Sequence, residues 1–202
     1  MAISKDLFDV IVIGAGPSGS VASALLNKQS HRVLVLEREH FPRFSIGESL
    51  LPQCMIFLEQ ADMLAAVEAA EFQFKNGAAF SRGDELSYFD FNEKFTGGWG
   101  TTFQVQRDRF DKILADEAQK QGVEIRFGHS VTGFESAQQK ARLTVLDESG
   151  KSYQAEARFV LDASGFGRVL PRLLNLERPS RLASRTSIYT HVKDNISDSL
   201  FD

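Results

Sequence analysis

The stretch Phe8-Asp9-Val10-Ile11-Val12-Ile13-Gly14-Ala15-Gly16-Pro17-Ser18-Gly19, with Arg32-Val33-Leu34-Val35-Leu36-Glu37 downstream of it, decides the fold. The continuous β-branched run predicts a strand over 8–13 with both faces covered, as in a parallel sheet. A helix follows over 17–28 and a second strand over 32–37. The spacing Gly14-x-Gly16-x-x-Gly19 is weak evidence alone. Here a strand precedes it and a helix follows, and a carboxylate ends the next strand, eighteen residues beyond Gly19. A dinucleotide-binding βαβ unit requires that order. Gly14 makes the tight turn out of the strand, Gly16 lets the backbone approach a pyrophosphate, and Gly19 lets helix and sheet pack closely. Pro17 and Ser18 open the helix, where N–H groups and a partial positive charge face phosphates. Glu37 can accept both ribose hydroxyls, and its charge disfavours a 2′-phosphate. The bland alternative is a structural glycine turn in an ordinary βαβ unit.

Working outward, 202 residues allow one good core, or one domain with part of a second. A hydrophobic share of 43% and a charged share of 25% describe a soluble globular chain. The net charge of −4, without a clustered basic run, argues against nucleic-acid binding. Cys54 is the sole cysteine, which excludes an intramolecular disulfide and is compatible with a reducing cytoplasm. The first apolar run ends at Gly14, too early for a signal-peptide core, and nothing approaches the ~20 apolar residues of a membrane span. The expectation is a soluble, cytoplasmic protein. His31, His40, His129 and His191 have no metal-ligand spacing with one another or with Cys54, so they read as surface or loop residues and no metal is expected. There is no G-x-S-x-G nucleophile motif.

The remaining pattern is mixed. Pro52 suits the first turn of a helix running, with a possible break, to about Ala70. Phe72, Phe74, Ala78 and Phe80 suggest one strand, Ser81-Arg82-Gly83-Asp84 a turn, and 86–91 the returning strand. After a glycine-rich turn holding Trp99, a strand is expected over 102–105. An amphipathic helix follows over 108–121, closed by Gly122. Short strands over 123–127, 130–136, 141–147 and 152–157 form a meander. A second buried strand over 158–162 runs into Ala163-Ser164-Gly165, and a last strand is expected over 186–193.

FAD and NAD share the glycine fingerprint; the chain beyond Glu37 separates them. It reads Arg38-Glu39-His40-Phe41-Pro42-Arg43-Phe44-Ser45-Ile46-Gly47-Glu48-Ser49-Leu50-Leu51-Pro52. This resembles the segment after the second strand in flavin-dependent halogenases and related FAD oxidoreductases and monooxygenases, where F-P-R-x-x-x-G-E-S-L-L-P recurs and forms a strap along the flavin. Phe103-Gln104-Val105-Gln106-Arg107, leading into Phe110-Asp111, resembles that family's strand-to-helix junction, whose arginine lies near the cofactor. The competing reading of Arg107 is a surface arginine paired with Asp108 or Asp111. Arg158-Phe159-Val160-Leu161-Asp162-Ala163-Ser164-Gly165 looks like the second dinucleotide motif, and Val131 matches a position whose backbone contacts adenine. The resemblance spans Phe8 to about Lys193.

It implies a Rossmann-like α/β FAD-binding domain of glutathione-reductase type, with an inserted antiparallel β-meander and the start of a substrate domain. The implied division is 1–70 for the FAD-binding βαβ unit and strap, 71–105 for the start of a substrate-side β layer, 106–170 for the continued FAD domain with its meander, and 171–202 for the entry to a substrate domain. Implied cofactor-binding residues are Gly14, Gly16, Pro17, Ser18, Gly19, Glu37, Arg38, Arg43, Gly47, Glu48, Ser49, Arg107, Val131, Asp162, Ala163 and Gly165. Lys75 in Phe72-Gln73-Phe74-Lys75-Asn76-Gly77 resembles the halogenase lysine that faces the substrate and captures or hydrogen-bonds hypohalous acid. Its bland alternative is a solvated lysine alternating with Phe74. Two departures qualify the resemblance. The G-W-x-W-x-I-P motif linked to halogenation is absent, Gly98-Trp99-Gly100 being read as a turn with a core tryptophan, and no third flavin segment with a Gly-Asp pair occurs before Asp202. The chain is therefore expected to be a fragment or to lack part of the flavin site. The implied activity is that of an enzyme using reduced FAD and O₂ on a small organic substrate, its electrons coming from a flavin reductase or NAD(P)H. The alternatives are a geranylgeranyl-reductase-like double-bond reductase and a non-catalytic nucleotide-binding module.

Overall fold

The computed structural model describes residues 7–137, 140–190 and 192–193. The chain opens with β1 (Leu7–Ile13), α1 (Pro17–Lys28) and β2 (Val33–Glu37). Two short helices follow, α2 (Gln53–Gln60) and α3 (Leu64–Glu68), then strands β3 (Gln73–Lys75), β4 (Gly77–Arg82), β5 (Glu85–Asp90) and β6 (Thr102–Gln104). Helix α4 (Arg107–Lys120) leads to β7 (Glu124–Phe127), β8 (Ser130–Ala137), β9 (Lys140–Leu146) and β10 (Ser152–Asp162), and α5 (Val169–Leu173) is the last helix among the described residues.

The main sheet has the order β7-β2-β1-β10-β9-β8. Strands β7, β2, β1 and β10 run parallel, while β9 and β8 continue antiparallel. The covered faces inferred for the first strand are both present. Strand alternation puts Val10 and Val12, with Val33 and Val35, against Ala24 of α1 and Phe110, Leu114, Ala115 and Ala118 of α4. Ile11, Ile13, Leu34 and Leu36 face the other way, onto Leu143, Val145, Ala155 and Ala157, so the meander curls over that face. Each such fully buried aliphatic side chain contributes about 1.5–3 kcal/mol by leaving water. Helix α4 ends where Gly122, at φ 99°, supplies the left-handed turn that a side chain would resist.

Three expectations need correction. The strands inferred over 152–157 and 158–162 are one continuous strand of 11 residues, β10. Its first half pairs with β9 and its second half with β1, so the change in hydrophobic pattern near Ala157 marks a change of neighbour rather than an end. The strand inferred over 72–80 is two, β3 and β4, which belong to separate two-stranded sheets, with β6 and β5 respectively. The helix inferred over 52–70 does have the break that the sequence allowed for, where Asp62 takes φ 55° between α2 and α3. Finally, Thr186–Thr190 and residues 192–193 form no strand. Ile188 and Val192 are almost fully exposed there, and a β-branched run becomes a strand only beside a partner edge. Residue 191 lies outside the described residues. Trp99 is half-buried and packs against the helix-side core. Among the described residues no helix is long and apolar enough to cross a membrane.

Candidate cofactor site

Strand β1 is flanked by β2 on one side and β10 on the other, and the three end together. Gly14 N–H donates to Leu36 O at 2.8 Å and Ala163 N–H to Ile13 O at 2.9 Å, tying the three carboxyl ends into one floor. Ligands of open parallel sheets settle at such a point. A cleft of about 360 Å³ lies there. It is lined by Gly14, Gly16, Pro17, Ser18, Glu37, Arg38, Arg43, Arg107, Ala163 and Gly165 of the inferred site, and also by Ser45, Ile46, His129 and Ser164.

The three glycines divide into two kinds. At Gly14, with φ 98°, a Cβ would stand 2.8 Å from Ala163 O, and at Gly19 it would stand 1.9 Å from Gly14 O. Both are required by the packing of the loop itself. At Gly16, where φ is −64°, a Cβ would meet only Arg43 Nη2, at 3.6 Å. A side chain at position 16 would therefore not strain the turn; that position is open toward the cleft. Helix α1 has no side-chain cap and no acid in its first turn, so its amino end is left to an anion from outside the chain.

Glu37 ends β2 with 5% exposure. Its Oε2 accepts the Ala15 N–H at 2.8 Å and its Oε1 the Glu39 N–H at 2.9 Å. Each oxygen keeps a second lone pair for a ribose hydroxyl, and the two amides fix the carboxylate in place. His129 N–H donates to Glu37 O at 2.9 Å, and its Nδ1 lies 2.9 Å from the Tyr153 hydroxyl. His129, read from sequence as a surface or loop residue, lies in the loop between β7 and β8 and also borders the cleft. It follows the carboxyl end of β7, the strand beside β2, and that position was the available signal.

Arg107 pairs with Asp111, as its competing reading had it, but is largely buried rather than a surface arginine. Its Nε and Nη2 bond the two oxygens of Asp111 at 2.7 and 3.0 Å, and its Nη1 donates to Ile46 O at 2.6 Å while the guanidinium borders the cleft. Arg43, from the segment resembling a flavin strap, brings Nη1 within 3.3 Å of Asp111 Oδ2. The Asp111 side chain is 0% exposed, and those of Arg43 and Arg107 are 19% and 15% exposed. Removing one partner from a buried pair costs about 3–5 kcal/mol. A solvated pair such as Lys28–Asp62 contributes only about 0–1 kcal/mol.

Several inferred residues lie elsewhere. Gly19 packs against the Gly14 turn. Asp162 accepts the Ser164 and Leu170 N–H groups at 2.9 and 2.8 Å and so shapes the turn after β10 rather than facing the cleft. Val131 packs on the meander side of the core. Glu48 and Ser49 run antiparallel beside β6: Val105 N–H donates to Glu48 O at 2.9 Å, and Ser49 bridges to Gln104. Gly47, at φ 94°, lies under Arg107 Nη1, which approaches its carbonyl at 3.3 Å.

Lys75 is the last residue of β3, half-buried, while Phe74 is 57% exposed on the opposite face. Its ammonium donates to Ser49 Oγ at 2.5 Å and to Leu50 O at 3.0 Å, and stands 5.2 Å from the centre of the Phe91 ring. A freely solvated lysine would make none of these contacts. Cys54 nearby is partly buried, which pushes its thiol above the usual range and disfavours a nucleophilic thiolate.

The site thus defines a dinucleotide-binding α/β protein. The chain belongs to the FAD binding domain family, which it matches over residues 7–198. FAD is accordingly its cofactor, and the open face at Gly16, the uncapped amino end of α1 and the oriented Glu37 carboxylate fit it. The chain is 35% identical over 158 residues to the tryptophan 2-halogenase of Chondromyces crocatus, covering 77% of this chain and 30% of that protein. Among solved structures it is similar to a flavoprotein/dehydrogenase from Cytophaga hutchinsonii, with 48% identity and a TM-score of 0.84 over 87% of this chain and 44% of that one. It is also similar to the myxobacterial chondrochloren halogenase CndH, with 34% identity and a TM-score of 0.72 over 78% of this chain and 37% of that one. The chain spans about a third to a half of the length of these proteins.

Proposed function

We propose that the protein is an FAD-dependent oxidoreductase of halogenase or monooxygenase type, acting with O₂ on a small organic substrate. The observation that carries this reading is the course of the strap. Residues 43–46 border the cleft, and a few residues on, Ser49 and Leu50 hold the Lys75 ammonium. One short segment therefore runs from the cofactor cleft to a restrained cation on a different sheet. Bound FAD supplies the redox chemistry, in its reduced form with O₂. The chain's own residues divide the binding. Gly14, Gly16, Pro17 and Ser18 offer backbone to the pyrophosphate, Glu37 accepts from the ribose, and Arg43 and Arg107 border the remainder. Lys75 stands ready to donate a hydrogen bond on the strap's far side. The electron source is a separate flavin reductase or NAD(P)H, and a cytoplasmic setting agrees with the free Cys54 thiol.

The test supplies FAD, NADH, a flavin reductase, O₂ and bromide to the protein with a phenol or an indole. A brominated product by mass spectrometry supports the halogenase reading, and an oxygenated product supports the monooxygenase reading. Substrate recovered unchanged while electrons are consumed overturns both. A second reading, a dehydrogenase or double-bond reductase of geranylgeranyl-reductase type, draws on the 48% identity to the flavoprotein/dehydrogenase. It expects a reduced or oxidised substrate under anaerobic conditions.

A further inference from the structure

The segment from Arg38 to Leu51 crosses one side of the cleft with almost no regular structure; Ser49 alone forms a bridge. From Glu48 onward, backbone bonds to β6 hold it. Ahead of Glu48 its ties are of another kind. Arg43 reaches Asp111, and Ile46 and Gly47 offer their carbonyls to Arg107, which is itself gripped by both oxygens of Asp111. Three residues of the crossing segment thus converge on one carboxylate. Asp111 sits on α4 between Phe110 and Leu114, both fully packed in the core, so the anchor is rigid. Arg43 and Arg107 border the cleft, and Asp111 does not. We propose that Asp111 is a positioning residue for the cofactor: it fastens the strap across the cleft and thereby sets how fast the bound dinucleotide leaves. The proposal rests on the reading of the cleft as the FAD site.

The geometry separates positioning from contact. Asp111→Asn keeps the shape of the side chain and removes no group that borders the cleft, but it leaves two guanidiniums without their shared charge. In the cofactor-free protein, chymotryptic cleavage after the exposed Phe44 should quicken at least about tenfold, while the melting transition stays cooperative. In the loaded protein, FAD dissociation, followed by flavin fluorescence after dilution, should quicken at least about tenfold in Asp111→Asn. Arg43→Gln should quicken the cleavage likewise, and the double variant should be cleaved no faster than Asp111→Asn, because Arg43 ties the strap through Asp111. Dissociation is compared only for Asp111→Asn, since Arg43 itself borders the cleft. Unchanged cleavage or dissociation in Asp111→Asn overturns the proposal, as do cleavage effects that multiply in the double variant. If Asp111→Asn fails to fold, Arg43→Gln decides, since it leaves Asp111 paired with Arg107; wild-type cleavage in that variant overturns the proposal. A wild-type protein that takes up no FAD would refute the cofactor reading instead, and the cleavage measurement would still decide the clamp.

Discussion

Gly16→Val is expected to abolish FAD binding, raising the dissociation constant more than about a hundredfold, or about 2.7 kcal/mol, while the cofactor-free protein keeps its fold. A Cβ at position 16 meets nothing nearer than Arg43 Nη2 at 3.6 Å, so the larger side chain projects into the cleft instead of into the protein. Gly19→Ala should behave in the opposite way. Its single added carbon would lie 1.9 Å from Gly14 O, a backbone atom that cannot step aside without moving the β1–α1 turn. Overpacking of this kind costs about 1–3 kcal/mol, and a midpoint drop of about 2–12 °C follows for a chain of this size. Circular dichroism melts of the cofactor-free variants, set beside FAD titrations, read both effects. A Gly16→Val protein as yellow as wild type would show that the loop does not hold the phosphates.

Lys75→Ala is expected to remove halogenated product, by more than about a hundredfold in kcat/KM, with FAD binding and O₂ consumption retained. Lys75 borders no part of the cleft, and its ammonium is held by Ser49, Leu50 and the Phe91 ring. The substitution therefore leaves the adenosine and pyrophosphate contacts alone and deletes a positioned donor. Hydrogen peroxide should accumulate in place of product. A monooxygenase or double-bond reductase would register the change only if Lys75 positions its substrate. Product formation at the wild-type rate would return Lys75 to a structural part in bracing the strap.

Local pattern carried the reading of the βαβ unit. The β-branched run, the glycine spacing and the carboxylate at position 37 all lie within some thirty residues, and α1 has the inferred bounds Pro17–Lys28. What the sequence concealed is non-local. Strand β10 seemed to end at Ala157 because its inward alternation against β9 gives way there to the pattern set by β1, and only the fold shows that one strand serves both neighbours. The pairing of Arg43 with Asp111 joins a segment after β2 to a helix after β6, a proximity no spacing rule encodes. His129 was passed over because its neighbours in sequence are loop-like, whereas its position follows from the parallel pairing of β7 with β2. In the other direction, the residues over 186–193 promised a strand, and the described ones among them join no sheet edge.

Titrating the cofactor-free protein with FAD, with FMN and with ADP, by calorimetry, tests most directly whether the Gly14–Glu37 cleft is an FAD site. FAD should bind with one-to-one stoichiometry, ADP should compete with it for the glycine loop and Glu37, and FMN, which lacks the adenosine half, should bind far more weakly. FMN binding as tightly as FAD, with ADP unable to compete, would mean that the cleft does not hold the dinucleotide.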